Sequence, residues 1–274
     1  MPDGSAGTRP GPPQVVVGAV SFLNAKPLVA GLRDDRRVRV VYGVPSELAG
    51  WVRDGRVDAA LVPVVDLAGR PGLAPVSDAC IASDGETLTV RVFSRVPPSR
   101  VQRLRVDGDS HTSVALAKLV WADLFGHAPA TIPLESSVEP VGEDGVLLIG
   151  DKVVAARPRG FAFEVDLGGV WRERTGLPFV YAVWATPPGA DHRELAERLS
   201  RSRDLGVERA SQIAEVDGPV AGWPVEIARQ YLTEYMHYRM TDRHREGMAL
   251  FLRKLAEQDI SAPPDEGLAK EGAA

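Results

Sequence analysis

Gln14-Val15-Val16-Val17-Gly18-Ala19-Val20 is followed at once by Ser21-Phe22-Leu23-Asn24-Ala25-Lys26-Pro27. The first seven residues are rich in β-branched side chains, which predicts a strand. Proline is favoured in the first turn of a helix, so Pro27 predicts that a short helix follows the polar turn. Successive units of this kind are typical of α/β proteins.

The same alternation continues through the first two thirds of the chain. Further strands are predicted at residues 38–42, 57–62, 88–93, 104–107, 146–149 and 179–185. The clearest helix begins at Ser110 and stops at Gly126, and another begins near Ser46 and ends at Gly55. Beyond Asp191 the periodicity predicts helices at 192–205, 223–238 and 241–258. The fold class is therefore α/β, with a parallel or mixed sheet covered by helices.

The change beyond Asp191, from alternating strands and helices to helices alone, predicts two lobes with a cleft between them. The first lobe comprises residues 14–95 and 187–260, and the second comprises residues 96–186. Residues 1–13 and 261–274 are rich in Gly, Pro and small or charged residues. We expect them to form a disordered leader and a flexible tail.

Composition excludes several functional classes. The chain has 32 basic and 37 acidic side chains, and this net charge of −5 argues against nucleic-acid binding. The apolar run 15–25 is too short to cross a membrane, and residues 1–13 lack the apolar core of a secretion signal. We therefore expect a cytoplasmic protein without a membrane partner. Cys80 is the only cysteine and lies in an apolar run, so it is predicted to be buried. The sequence leaves the oligomeric state open.

Metal and nucleotide chemistry are also disfavoured. None of the five histidines has the spacing of a helix-borne metal site. The chain also lacks a phosphate-binding glycine loop and a dinucleotide fingerprint. We expect neither a metal site nor a nucleotide cofactor.

Four polar segments lie at predicted strand ends or helix starts, where ligands gather in α/β folds. They are Ser21 to Pro27, Ser83-Asp84-Gly85-Glu86-Thr87, Asp109-Ser110-His111-Thr112-Ser113 and Gly150-Asp151. Free N–H groups at the start of the third segment's helix suit a carboxylate. Each segment also has a purely structural interpretation, either helix capping or turn formation.

In their order along the chain, these segments resemble the chorismate dehydratase family of menaquinone biosynthesis by the futalosine route. The matching elements include Ser21-Phe22-Leu23-Asn24, Val44-Pro45-Ser46-Glu47-Leu48, Ser83-Asp84-Gly85, Thr112-Ser113-Val114-Ala115-Leu116, Leu148-Ile149-Gly150-Asp151, Asp166-Leu167-Gly168 and Thr175-Gly176-Leu177-Pro178-Phe179-Val180. One departure is Val64-Val65, where relatives often carry hydroxyl residues.

The resemblance implies the two-lobed, type 2 fold of periplasmic binding proteins. It also implies cofactor-free dehydration of chorismate to 3-[(1-carboxyvinyl)oxy]benzoate, with the substrate's own enolpyruvyl carboxylate as the base. We predict that Asn24 and Ser83 are catalytic and orient the ring and its leaving hydroxyl. The predicted substrate-binding residues are Ser21, Ser46, Thr87, Ser110, Thr112, Ser113, Gly150 and Asp151.

Two alternatives remain open at this stage. Asp84 or Glu86 is a rival candidate for the general base. A non-catalytic protein of the same fold that captures a small carboxylate is a rival function, because a fold alone does not determine activity. Lys26 and Arg91 are candidates for neutralising substrate charge but are left out of the predicted site.

Overall fold

The computed structural model describes residues 15–68, 72–106, 111–134, 144–156, 158–189 and 191–260. The predicted leader, the predicted tail and Ser110 lie outside the described residues. Within these ranges, no helix combines the length and apolar character needed to cross a bilayer.

The chain alternates strands and helices, as the hydrophobic pattern predicted. The strands are β1 (Val15–Ala19), β2 (Val38–Tyr42), β3 (Ala59–Pro63), β4 (Ala74–Ser83), β5 (Val90–Ser94), β6 (Arg103–Val106), β7 (Ala130–Pro133), β8 (Asp144–Ile149), β9 (Phe163–Asp166), β10 (Phe179–Thr186) and β11 (Met236–Arg239). The helices are α1 (Lys26–Val29), α2 (Pro45–Arg53), α3 (His111–Phe125), α4 (Lys152–Ala155), α5 (Leu167–Thr175), α6 (Arg193–Glu208), α7 (Ala210–Val220), α8 (Val225–Gln230) and α9 (Asp242–Glu257). Short 3₁₀ turns occur at Leu23–Ala25, Val64–Leu67 and Pro98–Arg100, and a π-helical turn occurs at Tyr231–Tyr235.

The first sheet is mixed and has six strands in the order β11-β4-β10-β3-β1-β2. β1 runs parallel to β2 and β3, whereas β10 runs antiparallel to β3 and β4. Every residue of β3 is buried, as expected for a central strand covered on both faces. Helix α2 packs on β3, and α6 packs on β4.

The second sheet has five strands in the order β7-β6-β8-β5-β9. β6 is parallel to β7 and β8, and β5 is antiparallel to β8 and β9. All six residues of β8 are buried. The chain therefore forms two α/β lobes, each built on its own sheet.

Both predicted crossings between the lobes need correction. β5 pairs with β8 and β9, so the first crossing lies between Ser83 and Val90 rather than near Arg95. β10 pairs with β3 and β4, so the return lies between Asp166 and Phe179 rather than near Thr186. A strand's composition does not indicate which sheet it joins, because pairing partners from distant parts of the chain decide it.

The predicted helix 223–238 also needs correction. Only Val225–Gln230 is α-helical, and the π-helical turn Tyr231–Tyr235 leads directly into β11. β11 pairs with the edge of β4, with Met236 opposite Ser83 and His237 opposite Ala82. The helical spacing of aromatic residues in this segment was overridden by pairing with an available strand edge.

Candidate active site

A cleft between the two sheets brings together most of the predicted polar segments. It contains about 600 Å³ of space, part of it open to solvent. The first lobe lines it with Val20, Phe22, Asn24, Pro45, Leu61, Pro63, Ile81, Tyr181, Ala182 and Met236, and the other side is formed by Thr87, Thr89, Val90, Thr112, Ser113, Ile149 and Gly150. Of the described residues that line it, none is charged, and the polar ones carry hydroxyl or amide groups. This composition suits a small ligand that is oriented by a few hydrogen bonds.

Asn24 lies in the 3₁₀ turn that directly follows the first strand and reaches the cleft wall. Its Oδ1 is buried and accepts no hydrogen bond from the described residues. A buried acceptor without a donor costs roughly 1–3 kcal/mol. A ligand that donates a hydrogen bond to this oxygen would recover that cost.

The start of α3 faces the cleft through Thr112 and Ser113, both of which are buried. The Val65 N–H donates to Thr112 Oγ1 at 3.3 Å, so this helix end is held against the first lobe. In the preceding residue, His111 Nδ1 lies 2.9 Å from Asp66 Oδ1. The first N–H groups of a 15-residue helix favour a negatively charged ligand.

Asp151 connects the second lobe to the turn that carries Asn24. The Leu23 N–H lies 3.3 and 3.2 Å from the two carboxylate oxygens, and Trp223 Nε1 donates to Oδ1 at 3.1 Å. Burial raises the pKa of Asp151 despite these hydrogen bonds and the nearby Lys26 charge. Asp151 therefore holds protein groups behind the cleft and is not one of its lining residues.

Gly150 makes the neighbouring contact between the lobes. Its φ of +66° lies in the left-handed region, and a Cβ at this position would lie 3.3 Å from Cδ1 of Phe22. Glycine therefore satisfies both the backbone conformation and the close approach of the Phe22 ring.

Ser83 ends β4 and is 1% exposed. Its Oγ donates to the Gly85 carbonyl at 3.3 Å and lies 3.3 Å from the Tyr181 hydroxyl. Tyr181 lines the cleft, whereas Ser83 lies directly behind it. The Ser83 hydroxyl therefore meets the cleft wall through Tyr181.

The turn that carries Thr87 is organised by Asp166. Its Oδ1 accepts from the Thr87 N–H at 3.0 Å, and its Oδ2 accepts from the Leu88 N–H at 2.9 Å. Leu88 has a φ of +65°, which is rare for a side chain of this size. Asp166 also caps α5 by accepting from the Gly169 N–H. One carboxylate thus fixes both a strained turn and the start of a helix.

The structure divides the predicted site residues into three groups. Asn24, Thr87, Thr112, Ser113 and Gly150 line the cleft. Ser83 and Asp151 lie behind it, bonded to protein groups. Ser21 is exposed and Ser46 is half-buried, and neither is a lining residue. Ser21 and Ser46 are next to cleft residues in the sequence, but their side chains do not reach the cleft.

The charged candidates are engaged elsewhere. Lys26 pairs with Asp217 at 3.1 Å, and Arg91 pairs with Asp166 at 3.1 Å. The rival bases are also outside the lining, because Asp84 pairs with Arg172 at 2.7 Å and the Glu86 side chain is 62% exposed. The described residues contain no group of three or more side chains suited to a metal ion.

Sequence reasoning missed Thr89 and Tyr181 as cleft residues. Thr89 follows the Leu88 turn, where the Thr89 N–H donates to the Thr87 carbonyl at 2.7 Å, so strand alternation did not predict its position. Tyr181 gave no usable pattern, because an aromatic residue inside a predicted strand is typical of any core.

Comparison with known proteins agrees with this architecture. A family model described as menaquinone biosynthesis matches residues 15–257. A chorismate dehydratase from Thermus thermophilus is 31% identical over 263 residues, covering 88% of this chain and 94% of the relative. A chorismate dehydratase from Campylobacter jejuni is 22% identical, covering 87% of this chain and 96% of the relative.

Among solved structures, a Candida albicans protein described as having the generic periplasmic binding protein fold superposes with a TM-score of 0.59. The two are 11% identical, and the match covers 93% of this chain and 99% of the other. The predicted α/β, two-lobed binding-protein fold is thereby confirmed. Because the family model spans nearly all the described residues and a curated relative shares 31% identity, the chain belongs to the menaquinone biosynthesis family.

Proposed function

We propose that this protein is a chorismate dehydratase, which converts chorismate to 3-[(1-carboxyvinyl)oxy]benzoate and water in menaquinone biosynthesis. The observation that carries the proposal is the 31% identity to a chorismate dehydratase across 88% of the chain. The cleft supports it, because hydroxyl and amide groups from both lobes converge on one small volume.

The chemistry suits such a site. Loss of the C4 hydroxyl and the C3 hydrogen makes the ring aromatic, so the product is strongly favoured. The protein must mainly position the substrate and guide the proton. Asn24 and the hydroxyl groups of the cleft orient the ring, and the start of α3 at Thr112 and Ser113 holds a substrate carboxylate.

The base is best supplied by the substrate. Asp84 is paired with Arg172, and Glu86 is exposed beside Arg91, so neither faces the cleft. The enolpyruvyl carboxylate of chorismate is already tethered to the ring, which gives it a high effective concentration near the C3 proton. That carboxylate takes the proton while the C4–O bond breaks, and the proton and the hydroxyl leave as water.

Asn24, predicted from the sequence to be catalytic, lines the cleft and keeps that proposed role; Ser83, also predicted to be catalytic, is proposed to act on the substrate through Tyr181. We expect Asn24→Ala and Ser83→Ala each to lower kcat by about 100-fold, as is typical when a well-placed hydrogen-bonding group is removed from an active site. Purified protein is incubated with chorismate, and the product is quantified by chromatography. Ser211→Ala, on the exposed surface of α7, is the matched control.

The outcomes separate the function from the residue roles. If the wild-type protein forms no product, the proposed activity is wrong. If the wild type is active and both variants match it, only the roles of Asn24 and Ser83 are wrong.

The family and its relatives favour the enzyme over the alternative of a non-catalytic carboxylate-binding protein. Tight binding of chorismate without turnover would reverse that preference. The cytoplasmic location and the cofactor-free reaction stay predictions from the sequence.

A further inference from the structure

Tyr181 occupies an irregular position in the first sheet. β10 pairs with β4 so that Phe179 is opposite Ser83 and Val180 is opposite Ala82, but the next pair is Ala182 with Ile81. Tyr181 is therefore the extra residue of a β-bulge. Bulges redirect a side chain and are enriched beside active sites. The irregularity turns this tyrosine toward the end of β4.

The Tyr181 phenol is joined to Ser83 behind the cleft wall. Its ring is 8% exposed and packs edge-on against Phe179 at a centroid distance of 4.8 Å. Its hydroxyl lies 3.3 Å from Ser83 Oγ. The hydrogen bond between the two hydroxyls ties the phenol to Ser83, whose Oγ also donates to the Gly85 carbonyl.

Gly168, at the start of α5, lies next to the Tyr181 hydroxyl, the Ser83 hydroxyl and the Gly85 carbonyl. A Cβ at Gly168 would lie 2.6 Å from the Tyr181 hydroxyl, 2.7 Å from the Gly85 carbonyl oxygen and 3.0 Å from Ser83 Oγ. A side chain at Gly168 would therefore collide with all three atoms, and glycine leaves the space that the hydrogen-bonded group occupies.

The phenol keeps its proton throughout the ordinary pH range. Burial and then the nearby Asp166 charge raise the pKa of Tyr181, and the hydrogen bonds with the Ser83 and Thr87 hydroxyls oppose this only in part. The contact between Tyr181 and Ser83 is therefore a hydrogen bond between two neutral hydroxyl groups.

We propose that Tyr181 and Ser83 act as one unit of the active site, in which the hydrogen bond between the two hydroxyls fixes the orientation of the Tyr181 phenol at the cleft wall. This inference rests on the proposed function and on the proposed role of Ser83. It adds to the site a residue that makes contact with both Ser83 and the cleft.

The first test is Tyr181→Phe, which keeps the ring and removes only the hydroxyl. We expect kcat to fall about tenfold or more, because a misplaced group near the chemistry can cost up to about 100-fold. KM should change by less than about threefold, since ground-state contacts are kept. Tyr238→Phe is the matched control, because the Tyr238 hydroxyl is equally buried but has no hydrogen-bond partner among the described residues. It should leave kcat unchanged.

A double-mutant cycle tests whether Tyr181 and Ser83 act as one unit. The double variant should be no slower than Ser83→Ala alone, because without the Ser83 hydroxyl the phenol is no longer held in place. A wild-type kcat for Tyr181→Phe would overturn the proposal. So would a double variant that is slower than Ser83→Ala by the full factor seen for Tyr181→Phe alone.

Gly168→Ala gives an independent route if Tyr181→Phe fails to fold. Its methyl group would displace the Tyr181 hydroxyl from Ser83, so kcat should fall with KM retained, and a wild-type kcat would again refute the idea. Active wild type and a slow Ser83→Ala variant establish the proposed function first. If Tyr181→Phe and Gly168→Ala then keep the wild-type kcat, this inference alone is wrong and the proposed function stands.

Discussion

Gly150→Ala perturbs the contact between the lobes at a single point. Gly150 has a φ of +66°, and an alanine in this left-handed conformation costs roughly 1–2 kcal/mol. The added Cβ would also lie 3.3 Å from Cδ1 and 3.4 Å from Cγ of Phe22. The ring must therefore shift by a few tenths of an ångström.

Two consequences of this substitution can be measured separately. The backbone strain should lower the melting temperature by about 2–8 °C, at about 2–4 °C per kcal/mol for a chain of this size class. The shifted ring should move the Leu23–Ala25 turn, which carries Asn24 two residues further along the chain. We expect kcat to fall about tenfold, because small displacements of a reacting geometry are costly.

Gly126→Ala separates strain from contact. Gly126 has a φ of +75°, and a Cβ there would meet nothing within 4 Å. Its melting temperature should fall by a similar amount, with kcat unchanged. Melting is followed by circular dichroism and turnover by product chromatography. Equal kcat values for the two variants would show that the Phe22 contact does not position Asn24.

Two further predictions concern buried histidines. His111→Ala should lower the free energy of unfolding, measured in urea, by at least about 2 kcal/mol. The reason is that Asp66 is fully buried and its second oxygen already lacks a partner among the described residues. A smaller decrease in the purified variant would show that the His111–Asp66 pair adds little stability. Burial and the His237 charge lower the pKa of His244 below its ordinary 6.5, so its stabilising contribution is present above pH 6.5 and is lost as the pH falls through the folded-state pKa. His244→Gln keeps a capping side chain opposite Thr241 but does not titrate. Its melting temperature should therefore fall less than that of the wild type between pH 7 and pH 5. Parallel plots of melting temperature against pH for the two proteins would contradict this.

The local residue pattern located most strands and helices, but it did not predict which strands pair with one another. Residues 38–42 were located as a strand because β-branched content is a local property. Residues 88–93 and 179–185 were also placed in strands, but in the wrong lobes, because sheet membership depends on distant partners. The segment 223–238 has helical spacing, yet its end pairs with β4.

The same division applies to the site. Asn24 and Thr112 were found because ligands gather beyond strand ends and at helix starts in α/β folds, and both residues line the cleft. Tyr181 was missed because its role depends on a bulge, which is a property of two paired strands and not of one. Ser21 shares its motif with Asn24 but is exposed, since the turn points only some of its side chains inward.

The bond between Asp151 and the Leu23 N–H has a kinetic consequence. The carboxylate belongs to one lobe, and the turn that it steadies belongs to the other. Any separation of the lobes wide enough to let a molecule escape must break this bond and draw the neighbouring Asn24 amide away. A molecule whose lobes have separated at this point therefore has no assembled site until the Leu23–Asp151 bond forms again.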